Sequence, residues 1–140
     1  MRDTSLIEID LAALDRNYRR IDHLVGRDCR ICAVLKADAY GLGAIPIAKR
    51  LERGGCGMFA LSNPSEAEEL WRAGIASDLL VLRPVRVIQD VEAVVEPLSK
   101  GQIQLTLHDT AQLPILEKIA IRLEGPLRVH LDLDTGMSRG

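Results

Sequence analysis

At 140 residues, with 47% hydrophobic and 27% charged side chains, the chain is long enough to bury one core and lacks the composition of a disordered segment. Its 18 basic and 20 acidic residues leave a net charge of -2 and are spread along the chain, so no polybasic footprint points to nucleic acid or to an anionic membrane, and a small-molecule role is expected. The opening Met1-Arg2-Asp3-Thr4-Ser5 lacks the basic and apolar regions of a secretory signal, and no apolar run approaches the length that spans a bilayer, so a cytoplasmic location is expected.

In chain order, Leu6-Ile7-Glu8-Ile9 reads as a short opening strand within a separate N-terminal segment, residues 1–10. Asp10 is placed to cap a helix whose Leu11, Leu14, Tyr18, Ile21 and Val25 share one face. The apolar run 31–36 reads as the first core strand; it stops at Ala39-Tyr40-Gly41-Leu42-Gly43 and gives way to a helix through Leu51. The second strand is 57–61. Asn63-Pro64-Ser65-Glu66 then has a capping side chain, a first-turn proline and a glutamate three residues after the cap, and Gly74 ends that helix. A third strand, 78–82, precedes Pro84 and a helix around 88–95. The fourth strand is 103–107, and Thr110 is placed to cap a helix to about residue 123 with Pro114 near its first turn. The fifth strand is 127–134, and no helix follows it.

Strands alternating with helices imply parallel pairing with crossover helices, as a doubly wound sheet or as part of an eight-stranded barrel. A helix precedes the first core strand and none follows the last. On that last strand Arg128, His130, Asp132 and Asp134 alternate with Val129, Leu131 and Leu133, so one face is charged, as a barrel lumen near a site would be. The expected fold class is therefore α/β, a partial TIM-type (β/α)8 barrel of about five parallel strands that ends before closure, occupying residues 11–140.

Three cysteines cannot make a disulfide framework; Cys29 and Cys32 form a C-x-x-C, but the pair leads into a strand and has no second pair, so they read as small core residues. A metal-dependent hydrolase using His130, Asp132 and Asp134 is a competing reading, weighed against by the absence of ligands on other strands, and no metal is expected. His23 and His108 read as ordinary helix and loop residues.

Lys36 stands at the C-terminal end of a strand, where barrel enzymes put catalytic side chains, behind an apolar run able to bury its stem. An amine in such a place suits nucleophilic attack on a carbonyl; a lysine that snorkels out of the strand end is the alternative. The composite 33–43, Ala-Val-Leu-Lys-Ala-Asp-Ala-Tyr-Gly-Leu-Gly, resembles the pyridoxal-phosphate attachment segment of alanine racemases. The resemblance implies that Lys36 holds the cofactor as a Schiff base and that Tyr40 contacts its phosphate. A second stretch, 130–139, resembles the family's segment of the form H-L-x-x-D-T-G-M-x-R, which implies that Arg139 sits near the cofactor phenolic oxygen and the substrate carboxylate, a role suited to a guanidinium fork. Many family members carry a carbamylated lysine where this chain has Asp132. Asp132 is expected to stand in for it as the partner of Arg139, with His130 and Asp134 as supporting residues.

The resemblance covers almost the whole chain. It implies a fold type III enzyme that interconverts L-alanine and D-alanine, supplies D-alanine for peptidoglycan, and works as a homodimer with alanine as its small-molecule partner and no nucleic acid or membrane. Racemisation needs a base on each face. Lys36 would serve one; the family's other base is a tyrosine in a C-terminal β-domain of the partner subunit, with which residues 1–10 are expected to associate, and that domain is absent here. Tyr18 is no substitute, since its spacing puts it on an apolar helix face. The chain alone is expected to turn over little. A cofactor carrier, another fold type III amino-acid racemase and a non-catalytic five-stranded binding module are the alternatives.

Overall fold

The computed structural model describes residues 6–137. Asp10 caps α1 (Leu11–Val25), its Oδ1 accepting from the N–H of Ala12 at 2.8 Å and of Ala13 at 3.0 Å. Tyr18 turns inward from this helix, and Leu11 and Leu14 pack on the core. The chain then runs through β1 (Ala33–Val34), the short segment α2 (Lys36–Gly41), α3 (Ala44–Arg53), β2 (Met58–Leu61), α4 (Pro64–Arg72) and β3 (Asp78–Val81). A 3-10 stretch (Ile88–Val94), α5 (Val95–Ser99), β4 (Ile103–Leu107), α6 (Leu113–Leu123) and β5 (Val129–Leu131) complete the described chain.

All five strands are parallel and lie side by side in chain order, β1-β2-β3-β4-β5. A doubly wound sheet reverses its order at a switch point; this one never does, which is the topology of a barrel arc. The register sorts the side chains. Phe59, Leu79 and Ile103 stand in one row and Leu61, Val81 and Leu105 in the next of the same face, all essentially inaccessible and packed under helix residues such as Leu51, Leu70, Leu98 and Ile119. The opposite face carries Val34, Ala60, Leu80, Gln104, Thr106 and His130. Val129 and Leu131 lie in the helix-covered rows but are exposed, since no helix among the described residues packs behind β5.

Three helices hand over to the next strand by the same device. At the end of α4 the N–H of Ile75 reaches Leu70 O and that of Gly74 reaches Trp71 O, with Gly74 at φ +84°, which a side chain would strain. The same pair of bonds closes α3 before β2 and α5 before β4.

Five expectations are corrected. Residues 6–9 form no strand: Leu6 and Ile7 are exposed, and no described strand lies beside them to take their backbone bonds. The ladder of the first core strand is confined to Ala33–Val34 because the backbone turns away at Lys36. The helix expected over 88–95 is 3-10 to Val94, and α-helix begins only at Val95. Pro97 explains the reset, because its ring would strike the carbonyl four residues earlier in a continuous α-helix. Thr110 opens a 3-10 turn (Thr110–Gln112) rather than capping α6, which begins at Leu113 with a proline in its first turn. The ladder of the fifth strand spans Val129–Leu131; its last bond runs from the N–H of Asp132 to Leu107 O, after which the chain departs.

Candidate functional site

Lys36 stands two residues past the end of β1, and the four residues after it do something that periodicity does not announce. Ala37, Asp38, Ala39 and Tyr40 have φ of 53°, 53°, 53° and 59° with ψ of 51°, 48°, 47° and 34°, so α2 is a turn wound left-handed. For L-residues this conformation costs about 1–2 kcal/mol each, and strain of that kind persists only where surroundings over-determine it. Here the N–H of Ala39 bonds Leu35 O at 2.8 Å and that of Gly43 bonds Asp38 O at 2.9 Å. Asp38 Oδ1 accepts from the N–H of Ala44, the first residue of α3, at 2.6 Å, and the Ala39 methyl is buried. From α4, Glu66 accepts the N–H of Ala37 at 3.2 Å through Oε1 and that of Ser62 at 2.8 Å through Oε2. The outcome is a rigid platform for two side chains. The Lys36 ammonium stands 6.0 Å from the centroid of the Tyr40 ring, at the edge of cation–π range, and Tyr40 is 63% exposed.

A second polar group occupies the other edge of the sheet. His130 on β5 donates through Nε2 to Gln104 Oε1 at 2.6 Å, and the Gln104 amide donates to Gly101 O. Thr106 donates to Val81 O at 2.7 Å. Asp132 meets His108: Nδ1 lies 2.8 Å from Asp132 Oδ2, and Nε2 lies 2.8 Å from Leu82 O. A carbonyl only accepts, so Nε2 is the donor to Leu82 O. His108 is thus no ordinary loop residue. It follows β4 in the same alternation as Gln104 and Thr106, which is the signal that would have found it. Asp134 accepts the N–H of Gly136 at 2.9 Å, and residues 132–137 line a groove.

Of the expected site residues, the structure brings Lys36 and Tyr40 together, and it places His130, Asp132 and Asp134 along one chain segment. It does not join the two groups. Three strands lie between them, about 19 Å along the sheet at ordinary strand spacing. Arg139 lies outside the described residues, and the described partner of Asp132 is His108. Asn63 caps α4 as expected, its Oδ1 accepting from the N–H of Glu66 at 3.0 Å, while the Glu66 carboxylate bonds Ser62 and Ala37.

The three thiols are free. Cys29 is exposed, not the core residue expected, because it lies in the loop between α1 and β1; Cys56 is buried, and burial pushes the half-covered Cys32 thiol up from its ordinary range. Among the described residues no three His, Cys, Asp or Glu side chains converge on a metal position, and no helix is long and apolar enough to cross a membrane.

Comparison with known proteins gives a uniform result. The family model described as alanine racemase, N-terminal domain, matches residues 9–140. An alanine racemase of Synechocystis sp. is 36% identical over 139 residues, 99% of this chain and 36% of that protein. One of Thioalkalivibrio sulfidiphilus is 40% identical over 139 residues, 99% of this chain and 37% of that protein. Among solved structures, alanine racemase from E. faecalis superposes with a TM-score of 0.78 at 32% identity, over 94% of this chain and 34% of that one. An alanine racemase from Bacillus anthracis with bound L-Ala-P superposes with a TM-score of 0.76 at 30% identity, over 94% of this chain and 33% of that one. The chain therefore spans about a third of the length of the relatives it matches.

Proposed function

Since the chain belongs to the family of alanine racemase N-terminal domains, we propose that it forms the barrel portion of an alanine racemase that presents the cofactor lysine, with pyridoxal 5'-phosphate as cofactor and alanine as substrate. The observation that carries this is the strained turn holding Lys36 beside Tyr40 at a strand end. The donor set fits the cofactor, offering an amine for its aldehyde and a phenol for its phosphate. Bound there, the cofactor would supply the electron sink that lets an amino acid release its α-proton.

In this reading Lys36 Nζ would hold the cofactor and would serve as the base for the α-proton on one face of the substrate. Tyr40 would donate a hydrogen bond from its hydroxyl to the cofactor phosphate. Arg139 would orient the substrate carboxylate and stabilise negative charge on the cofactor oxygen. Asp132, His130 and Asp134 make up the polar side of the cavity, with Asp132 held by His108. The opposite-face base would belong to a β-domain of a second subunit, so the active form would be a homodimer. The L-Ala-P bound in the Bacillus anthracis relative supports an alanine-sized substrate. Work in the cytoplasm, supplying D-alanine to the cell wall, completes the proposal.

The test is an absorbance spectrum of the chain with pyridoxal phosphate, then borohydride reduction and mass mapping. The expected result is a lysine-adduct band with the label on Lys36. Folded protein that shows no band, or that labels its lysines without preference, refutes Lys36 as the cofactor residue of this chain.

A further inference from the structure

We infer that Glu66 is a positioning residue for Lys36, holding the left-handed turn against the end of β2; the inference rests on the reading of Lys36 as the cofactor lysine. One carboxylate spans two neighbouring strand ends. Its Oε1 accepts from Ala37, the residue directly after Lys36, and its Oε2 from Ser62, the residue directly after β2. Like the first N–H groups of any helical turn, that of Ala37 points away from acceptors within its own segment, so it needs an external one. Glu66 provides it from 29 positions along the chain. The bond fixes the peptide that joins Lys36 to the turn, and thereby the direction in which the lysine leaves β1.

Side-chain chemistry makes the role specific. A carboxylate accepts at both oxygens, so it satisfies both N–H groups; a glutamine offers one oxygen and turns its NH2 toward the other N–H. An aspartate lacks the methylene needed to reach across. The ordinary helix-start role of a glutamate is separable, because α4 is capped by Asn63, not by the Glu66 side chain.

The test compares Glu66→Gln, Glu66→Ala and the control Asn63→Ala in the full chain, using two readouts. The first is amide exchange at Ala37 and Ser62 without cofactor. The second is the borohydride-trapped pyridoxal-phosphate label on Lys36 relative to the exposed Lys49, Lys100 and Lys118. In both Glu66 variants, exchange at Ala37 is expected to quicken about tenfold or more, as loss of a charge-assisted bond implies, with Phe59 and Leu61 unchanged, and the Lys36 label ratio is expected to fall several-fold. Asn63→Ala should loosen α4, whose first turn carries Glu66, but it keeps the Glu66 carboxylate, so both readouts should change less than in Glu66→Gln. Glu66→Gln keeps the side-chain volume and answers the question if Glu66→Ala does not fold. Unchanged Ala37 exchange in Glu66→Gln, or an equal change in Asn63→Ala, overturns the inference. If the parent chain shows no preference for Lys36, the cofactor reading fails, and exchange at Ala37 still decides the positioning role of Glu66.

Discussion

Replacing Ala37 by glycine should stabilise the chain, opposite to the usual effect of putting glycine into a helical segment. Ala37 has φ 53° and ψ 51° and an exposed methyl, so glycine there loses no packing. The left-handed penalty that it relieves is about 1–2 kcal/mol, and the extra freedom that glycine gives the unfolded chain takes back about 0.5–1 kcal/mol. The net expectation is a gain of about 0.5–1 kcal/mol. Ala12 is the internal control: it is exposed in right-handed α1, where glycine costs about 0.5–1 kcal/mol. With an unfolding slope of about 2 kcal/mol/M in urea, the two midpoints should separate by about 0.5–1 M, with Ala37→Gly on the stable side of the parent and Ala12→Gly on the other. Equilibrium urea unfolding followed by circular dichroism measures this directly. Ala37→Gly falling below the parent by as much as Ala12→Gly does would show that the Lys36 turn is not left-handed, and the strain argument for the site would go with it.

Acid should loosen α1 ahead of the sheet. The Arg50 guanidinium bonded to Asp15 holds that carboxyl below the usual carboxylate range, and the N–H of Ala13 does most to lower Asp10. Both folded values lie below the unfolded ones, so their contribution is complete above about pH 4 and is lost as pH falls through the depressed values. Amide exchange followed by pH should show α1 opening before β2–β3, and Arg50→Met should raise the Asp15 titration, with Arg19 and Arg16 still beside it. Among the thiols, exposed Cys29 should react fastest with iodoacetamide at neutral pH and raised, half-covered Cys32 more slowly; mass mapping that finds Cys32 first would contradict the burial argument. His108→Leu should cost about 1–3 kcal/mol, because it strands Leu82 O and removes the partner of Asp132; a variant as stable as the parent would show that His108 holds neither.

How much could be read beforehand depends on which interactions are local. The strand cores were legible because Phe59, Leu61, Leu79, Val81, Ile103 and Leu105 alternate, and the caps at Asp10 and Asn63 and the stop at Gly74 act within a few residues. The left-handed turn was not legible, since Ala-Asp-Ala-Tyr carries no residue that prefers positive φ; the conformation is imposed by Glu66, Asp38 and the buried Ala39, acting together. The partnership of His108 and Asp132 required the β4–β5 register, which no local pattern contains. Residue chemistry alone left Lys36 between a nucleophile and a snorkelling side chain, and the family resemblance of its segment separated the two.

The sheet face away from the helices changes character from edge to edge, and this connects the fold to the chemistry. Beside the Lys36 turn it is apolar and small, with Val34, Ala60 and Leu80 in one row; toward β5 it carries Gln104, Thr106, His130 and Asp132. In the proposed function the attacking amine would need apolar surroundings, whereas a substrate carboxylate and a cofactor oxygen would need polar partners, and the two kinds of surface stand at opposite edges of one face. The two ends converge only if that face curves inward, as a consecutive parallel sheet with helices on its outer side does when it closes. Distance between Lys36 and the β5 group is therefore a property of sheet curvature more than of either group. A bulky residue at Ala60, which is 2% exposed on the face away from the helices, should force the strands apart and lengthen the distance between spin labels at positions 40 and 134; an unchanged distance would refute the packing argument.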